Sequence, residues 1–319
     1  MSVLCRVIFL AGVLCAGTAN ARVATTHDAP LSISVMRARS YPGSALRTET
    51  VLGPGVNYER RVVSYRSDGL RIDALLTVPS GKPPKGGWPA IVLNHGYVPP
   101  AVYRTTGRYV AYVDAFARAG FVVLKPDYRG HGRSEGTARG ASYWNPDYIT
   151  DVLNAVASLQ QDSRVNAGRI GMWGHSMGGH ITLRAMLVNP GIKSGVIWAG
   201  VVGTYDQIIH DLPKWGGSNG PGTRGAFIEA YGTPRDNAAF YKRIDPHAFL
   251  KDLAGRPLQV QHARTDTHVP FHFSQTLVDA LKAAKQPVEF YAYPRDDHDL
   301  SRNLRAALAR SVAFFKKTL

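Results

Sequence analysis

A serine between two glycines is the residue best suited to covalent chemistry in this chain. Gly174-His175-Ser176-Met177-Gly178 has the G-x-S-x-G spacing of a nucleophile elbow, in which a sharp strand-to-helix turn projects the serine hydroxyl into open space. The apolar run 169–173 predicts a buried strand before Ser176, and residues 181–189 predict a helix after it. The alternative is a structural serine in a glycine-rich loop.

A serine hydroxyl is a poor nucleophile until a histidine base, oriented by a carboxylate, removes its proton. The chain offers these groups in the order Ser176, Asp266 and His298. Asp266 follows a predicted strand at 258–262, and His298 follows another at 288–293. Because parallel strands share their carboxyl edge, we expect the three side chains to converge there.

Other side chains compete for these roles. Asp206, just after a predicted strand at 195–199, is an alternative acid. Asp266 has three further histidines near it in the sequence, of which the first is predicted to belong to the strand end: His262, His268 and His272. Three acids beside His298 are predicted to solvate its loop instead of supporting the base: Asp296, Asp297 and Asp299.

Attack on a carbonyl creates an oxyanion, which needs donors already in position. We expect the backbone N–H of Met177 to be one donor and that of Tyr97, after the predicted strand at 90–94, to be the second. His95 is expected to organise this loop, and Gly96 to allow close approach of the substrate. Five residues are candidates for lining the substrate pocket: His95, Gly96, His175, Tyr205 and Trp215.

Short apolar runs alternate with helical patterns over 57–319, which predicts an α/β domain with a mostly parallel sheet covered on both faces. A stretch at about 203–250, rich in Gly, Pro and aromatic residues, interrupts the alternation. We expect it to form a small cap over the carboxyl edge of the sheet, where open α/β sheets bind ligands. Residues 22–56 show little periodicity and are predicted to be an irregular N-terminal extension.

The first residues have the pattern of a secretory signal peptide. Arg6 precedes an apolar run at 7–16, and Ala19-Asn20-Ala21 supplies small residues for cleavage. We expect export to the periplasm or the medium with cleavage after Ala21; the alternatives are an uncleaved anchor and a lipid-modified Cys15. Since Cys5 and Cys15 both lie in the signal, we expect the mature chain to contain no disulfide, cysteine nucleophile or thiolate metal site.

The chain is strongly basic, with 38 Lys and Arg against 23 Asp and Glu and a formal net charge of +15. Such a charge favours contact with an anionic envelope surface, although a solvated basic surface is the alternative. The basic residues form no run of five or more, and no nucleic-acid-binding motif is present. Nucleic acid is therefore not a predicted partner.

Several ordered motifs carry a resemblance to a known superfamily. They are Ser67-Asp68-Gly69-Leu70, Asn94-His95-Gly96, the run Asp127 to Ser134, Gly174 to Gly179, Thr265 to Pro270, and Asp297-His298. From about residue 60 onwards the chain resembles the α/β-hydrolase superfamily, nearest to prolyl oligopeptidase-type catalytic domains and related single-domain serine esterases. This resemblance implies an eight-stranded sheet whose second strand is antiparallel, with Ser176, Asp266 and His298 as the triad.

The chain departs from the peptidases of that family at several positions. Arg264 stands where Gly is usual, Asp245-Pro246 where Ser-Pro is common, and no Gly-Pro follows Gly96. We also expect no N-terminal propeller, because residues 22–56 are too few to build one. These differences weaken the assignment as a peptidase without affecting the triad.

Three functions are compatible with the sequence. The first is an exported serine hydrolase that cleaves small carboxylic esters through an acyl-enzyme, with no metal or organic cofactor. The second is an exopeptidase with the same triad acting on short peptides, and the third is a catalytically silent binding protein. Seven aromatic residues are expected to line the capped opening or to pack the cap: Tyr97, Tyr103, Trp144, Tyr205, Trp215, Phe227 and Tyr231.

Overall fold

A computed structural model describes residues 29–213 and 223–319. Its centre is a nine-stranded sheet in the order β1-β2-β3-β5-β4-β6-β7-β8-β9. The strands are β1 (Arg47–Leu52), β2 (Tyr58–Ser67), β3 (Leu70–Pro79), β4 (Trp88–Asn94), β5 (Val122–Pro126), β6 (Val165–His175), β7 (Ile192–Trp198), β8 (Leu258–Ala263) and β9 (Val288–Tyr293).

The strand directions agree with the predicted α/β-hydrolase fold. Strands β4 to β9 run parallel to one another, and β3 runs antiparallel to both β2 and β5. The prediction of eight strands was wrong by one, because β1 adds an antiparallel edge strand to β2. The extension at 22–56 is therefore not wholly irregular where the structure describes it.

Helices pack on both faces of the sheet, and three α-helices lie between β7 and β8, in the segment predicted to form the cap. The α-helices are α1 (Ile33–Ala38), α2 (Val110–Arg118), α3 (Asp147–Gln160), α4 (Met177–Val188), α5 (Tyr205–Asp211), α6 (Arg224–Tyr231), α7 (Ala238–Ile244), α8 (Phe271–Ala283) and α9 (Leu304–Thr318). Short 3-10 helices cover Pro100–Val102 and Pro246–Leu253. No helix among the described residues is long and apolar enough to cross a bilayer.

The extension is held against the helix that follows the elbow. Arg184 on α4 is fully buried and donates hydrogen bonds to the backbone carbonyls of Leu31 and Ile244. Its guanidinium therefore joins the segment before α1 and the end of α7 to the same helix. Burial lowers the pKa of Arg184 from its usual value.

The register of the parallel strands brings the functional loops to one edge. Asn94 at the end of β4 pairs with Gly174 of β6, which pairs in turn with Ile197 of β7. His262 at the end of β8 pairs with Ala292 of β9. The loops after β4, β6, β8 and β9 consequently open on the same side of the sheet.

Candidate active site

Ser176 occupies a strained turn between β6 and α4. Its backbone φ of 55° and ψ of −120° lie outside the regions that residues with a side chain normally adopt. A Cβ on Gly174 would lie 2.1 Å from the Gly178 carbonyl oxygen, and one on Gly178 would lie 2.0 Å from the Asn94 oxygen. Only glycine fits at either position, so the turn has the form expected of a nucleophile elbow.

Asp266 and His298 meet as the sequence predicted. Oδ2 of Asp266 lies 2.7 Å from Nδ1 of His298, and it also lies 3.0 Å from Nε2 of His262. The other oxygen, Oδ1, accepts the backbone N–H groups of His268 and Val269 at 2.7 and 3.0 Å. Four donors thus fix the carboxylate, which points one oxygen at His298.

These contacts decide the ionisation of Asp266. Burial by itself raises the pKa of this carboxyl, but hydrogen bonds from His262 and His298 outweigh it and hold the pKa well below its usual range. The carboxylate is therefore ionised at neutral pH and can accept the Nδ1–H of His298. That bond leaves Nε2 of His298 as the nitrogen available for a proton from elsewhere.

The loop that carries His298 is braced from inside. Asp296 accepts the backbone N–H groups of Asp297, Arg302 and Asn303 at 2.9 to 3.0 Å. The Thr265 hydroxyl donates to the Asp296 carbonyl at 2.7 Å, which links this loop to that of Asp266. The prediction that Asp296 solvates the loop was wrong, because only 6% of the residue is exposed and its carboxylate holds the turn together.

No hydrogen bond joins the side chains of Ser176 and His298 in the part of the chain that the structure describes, and the two loops meet instead through His175. The His175 ring, adjacent to Ser176 in sequence, packs on the His298 ring with centroids 4.5 Å apart. Its Nε2 also lies 3.0 Å from the His298 carbonyl oxygen. Nucleophile–base contacts are often long in free enzymes and shorten when substrate binds.

Two backbone N–H groups beside Ser176 are suited to an oxyanion. Met177 begins α4, where the first N–H groups of a helix have no partner within it. Within 29–213 and 223–319, neither Met177 nor Tyr97 donates its backbone N–H to another residue. The N–H of Gly96, by contrast, donates to the Tyr109 hydroxyl at 2.9 Å. The Tyr97 side chain is 55% exposed and stands at the surface.

His95, a pocket candidate, lies beneath the loop. It is fully buried, and its ring stacks on those of Tyr103 and Tyr128 with centroids 4.8 and 4.1 Å apart. Burial, reinforced by the positive charge of Lys125, lowers its pKa well below the usual value. A neutral His95 thus supports the Gly96 turn from inside.

The other pocket candidates have different surroundings. Gly96 adjoins the serine, since a Cβ there would lie 3.1 Å from Cβ of Ser176. His175 is 2% exposed and is held by hydrogen bonds. Tyr205 is fully buried, and its hydroxyl donates to the Tyr143 carbonyl at 2.9 Å, so it links α5 to the loop before α3. Trp215 lies outside the described residues.

Four other aromatic residues expected at the opening fall into two groups. Tyr103 is 2% exposed and donates its hydroxyl to Asp127, so it packs inside the domain. Trp144, Phe227 and Tyr231 line a cavity of about 360 Å³ between the extension and the cap. Neither Ser176 nor His298 lines this cavity.

The motif over 127–134 has a structural role. Arg129 is buried and donates to Asp151 at 2.7 Å, and its guanidinium also lies 3.1 Å from Asp68. Asp151 in turn accepts the Ser67 hydroxyl at 2.7 Å. This network joins the β2–β3 hairpin to α3. No group of three or more His, Cys, Asp or Glu in the described ranges is arranged to hold a metal ion.

The sequence profile of the Prolyl oligopeptidase family matches residues 108–319. The chain belongs to the prolyl oligopeptidase family. This match includes Ser176, Asp266 and His298, so the chain is a member of a family of serine hydrolases.

The relatives include peptidases and esterases. The chain is 25% identical over 240 residues to the acylamino-acid-releasing enzyme of Sus scrofa, an alignment that covers 73% of this chain and 31% of that enzyme. It is 28% identical over 239 residues to the monoacylglycerol lipase of Mycolicibacterium smegmatis, covering 66% of this chain and 81% of the lipase. The chain thus spans about a third of the length of the acylamino-acid-releasing enzymes that it matches.

Solved structures share the fold. The acetyl xylan esterase of Paenibacillus sp. R4 superposes with a TM-score of 0.64 at 17% identity, covering 90% of this chain and 92% of that one. Such a similarity identifies the α/β-hydrolase architecture.

Two residues of the site escaped the sequence analysis. Tyr109, at the start of α2, contacts both Gly96 and His175, and no local pattern distinguishes it from other helix residues. His262 was noted only as belonging to the strand end. Its place directly after an apolar run and four residues before Asp266 is the one signal that could have identified it.

Proposed function

We propose that the protein hydrolyses carboxylic esters of small molecules through an acyl-enzyme on Ser176. The observation that carries this proposal is the 2.7 Å contact between Asp266 and His298, beside a serine held in the strained elbow. His298 accepts the serine proton at Nε2 as Oγ attacks the ester carbonyl. The tetrahedral intermediate collapses, and the departing alcohol takes that proton.

The second half of the reaction repeats these steps with water. His298 removes a proton from the attacking water, and the acid departs as the proton returns to Ser176. Asp266, ionised throughout, holds the imidazole in the tautomer with a proton on Nδ1 and stabilises the imidazolium that forms.

The negative charge of each intermediate falls on the former carbonyl oxygen. We propose that the backbone N–H groups of Met177 and Tyr97 stabilise it. Support comes from the absence of a partner for either group among the described residues and from the position of Met177 at the amino end of a 12-residue helix. Loss of one such donor in a serine hydrolase costs about 100- to 1000-fold in kcat.

An esterase is favoured over a peptidase by the departures from the peptidase pattern, such as Arg264 and Asp245-Pro246. Relatives of both classes are matched over most of their length, the lipase of Mycolicibacterium smegmatis over 81% and the uncharacterized peptidase YtmA of Bacillus subtilis over 88%. The peptidase alternative needs a charged group to hold a chain terminus. Three charged residues of the predicted cap could serve, Arg224, Glu229 and Arg235, and of these Arg224 donates to the backbone carbonyl of Leu212.

The choice of substrate is tested by comparing two series of chromogenic compounds. Purified protein should hydrolyse p-nitrophenyl esters, with kcat/KM varying with acyl chain length, and leave aminoacyl-p-nitroanilides essentially uncleaved. Cleavage of the anilides with kcat/KM at least equal to that for the esters would replace the esterase by an exopeptidase. Failure to cleave either series would favour the binding protein.

We further propose that the protein is exported and contacts an anionic envelope surface. The supporting observations are the apolar run at 7–16, the Ala19-Asn20-Ala21 site and the formal net charge of +15. Expression in a Gram-negative host, fractionation and N-terminal sequencing should give a periplasmic protein that begins at Arg22. The purified protein should bind vesicles with anionic lipid at low salt and be released at about 0.5 M salt, since salt screens such contacts.

A further inference from the structure

A chain of hydrogen bonds connects the three loops of the site. The Gly96 N–H donates to the Tyr109 hydroxyl at 2.9 Å, and this hydroxyl lies 2.7 Å from Nδ1 of His175. Nε2 of His175 lies 3.0 Å from the carbonyl oxygen of His298. The chain thus runs from the oxyanion loop through the elbow to the loop of the base.

Elementary chemistry fixes the direction of every bond in this chain. A carbonyl oxygen can only accept, so the proton of His175 is on Nε2. A neutral imidazole then accepts at Nδ1, and the Tyr109 hydroxyl is the donor. The tyrosine oxygen receives the Gly96 N–H. His175 is neutral because burial, and to a lesser extent its proximity to His298, lowers its pKa to about 3.

The position of Tyr109 is itself constrained. Its φ of 55° and ψ of 20° are left-handed, a conformation that costs a tyrosine free energy and persists only when its surroundings hold it. Its ring packs against that of Trp173 on β6, with centroids 6.0 Å apart. A Cβ on Gly96 would lie 2.9 Å from the Tyr109 hydroxyl oxygen. The loop therefore approaches the hydroxyl more closely than a residue with a side chain at position 96 would allow.

We propose that Tyr109 and His175 are positioning residues that fix the oxyanion loop, the elbow and the His298 loop relative to one another. The proposal rests on the function proposed above. Neither residue exchanges a proton with substrate. By occupying the Gly96 N–H, Tyr109 leaves the next N–H, that of Tyr97, as the donor directed at the substrate. At the other end of this series of hydrogen bonds, His175 restrains the backbone of His298.

The direct test is Tyr109→Phe, which removes one oxygen and keeps the ring. We expect kcat for p-nitrophenyl acetate, divided by the fraction of active sites, to fall about 10- to 100-fold, because small displacements of catalytic groups have effects of that size. KM should change less than about threefold, since the ester is still bound in the same site. Tyr58→Phe is the matched control, because Tyr58 donates to Asp114 on the same helix α2, away from the serine.

Substitutions of His175 separate the effect of its hydrogen bond with Tyr109 from that of its hydrogen bond with His298. The amide of Gln in His175→Gln can replace Nε2 as donor to the His298 carbonyl, and the oxygen of Asn in His175→Asn can replace Nδ1 as acceptor for Tyr109. Tyr109→Phe should therefore cost several-fold less in the Gln background than in the wild type. In the Asn background its cost should remain close to the wild-type value.

Two results would overturn the proposal. One is a Tyr109→Phe enzyme whose kcat per active site is within about threefold of the wild type. The other is a loss of kcat that is equally large in all three backgrounds, because the residues would then act independently. A wild-type protein without esterase activity would instead refute the proposed function, which Ser176→Ala tests separately.

Discussion

Oδ2 of Asp266 lies between two imidazoles, 2.7 Å from Nδ1 of His298 and 3.0 Å from Nε2 of His262. The two histidines differ in exposure. The side chain of His298 is 13% exposed, whereas that of His262 is fully buried and also contacts the Ser274 hydroxyl at 2.8 Å. One carboxylate oxygen therefore orients a histidine that can reach substrate and anchors another that cannot.

Asp266→Asn should lower kcat for ester hydrolysis about 1000- to 10,000-fold, because the neutral amide no longer fixes the tautomer of His298. Steady-state kinetics with p-nitrophenyl acetate measure the effect. Asp206→Asn is the matched control, because Asp206 is the alternative acid that the sequence offers. Its side chain is 68% exposed and lies 3.4 Å from His210. If Asp206→Asn is the variant that loses activity, the assignment of the acid is wrong.

His262→Leu should mainly reduce stability. It removes the partners of Ser274 and of one side of Asp266, and an unsatisfied buried polar group costs about 1–3 kcal/mol in the free energy of unfolding. Denaturant unfolding measures that loss, and kcat per active site should fall less than about tenfold. Inactivation as complete as that of His298→Ala, with stability unchanged, would identify His262 as the base.

Gly178→Ala should prevent formation of a competent elbow. Its Cβ would lie 2.0 Å from the Asn94 carbonyl oxygen, a backbone atom at the end of β4 that cannot move aside as a flexible side chain could. We expect a loss of several kcal/mol in unfolding free energy and at least a 100-fold loss in kcat. Gly53→Ala is the control, since a Cβ there has no neighbour within 4 Å. A Gly178→Ala enzyme with wild-type kcat would show that the elbow tolerates a side chain.

His180 makes stability depend on pH. Burial, followed by the positive charge of Arg184, lowers its pKa well below the usual value of about 6.5. Below pH 6.5 the unfolded chain binds a proton at His180 that the native chain does not, so stability falls as pH falls. His180→Gln should reduce the slope of unfolding free energy against pH by about 1.4 kcal/mol per unit between about pH 4 and 6.

The slope is measured by denaturant unfolding at several pH values. His210→Gln provides the comparison, since the side chain of His210 is 60% exposed. Equal slopes for His180→Gln and the wild type would mean that His180 is protonated in the folded protein.

The parts of the site that the sequence could predict are those with a local signal. Ser176, Asp266 and His298 each follow a short apolar run, and the parallel sheet brings the ends of such runs to one edge. The ends of β6, β7 and β8 are buried, so they need apolar side chains, and those side chains make the strands recognisable in the sequence. The insertion at about 203–250, predicted to be a cap, interrupts that alternation, and α5 to α7 lie within it.

The parts that could not be predicted depend on distant contacts. Strand β1 has the sequence Arg-Thr-Glu-Thr-Val-Leu and is exposed or half-buried throughout, so it shows no alternation of apolar and polar residues that would predict a strand. It is a strand because it pairs with β2. Tyr109 reaches a residue 66 positions later through a left-handed backbone that tyrosine rarely adopts. In the sequence, Asp296 cannot be distinguished from the two other acids beside His298. Its role depends on the folded turn, in which it accepts the N–H groups of Arg302 and Asn303.

The most direct test of the central claim is to locate the nucleophile. Wild-type protein is treated with a fluorophosphonate, the adduct is mapped by peptide mass spectrometry, and folded Ser176→Ala is treated in parallel. We predict one adduct per chain on Ser176, and neither labelling nor ester hydrolysis in Ser176→Ala, whose circular dichroism matches that of the wild type. An adduct on another residue, or undiminished hydrolysis by Ser176→Ala, would contradict the account.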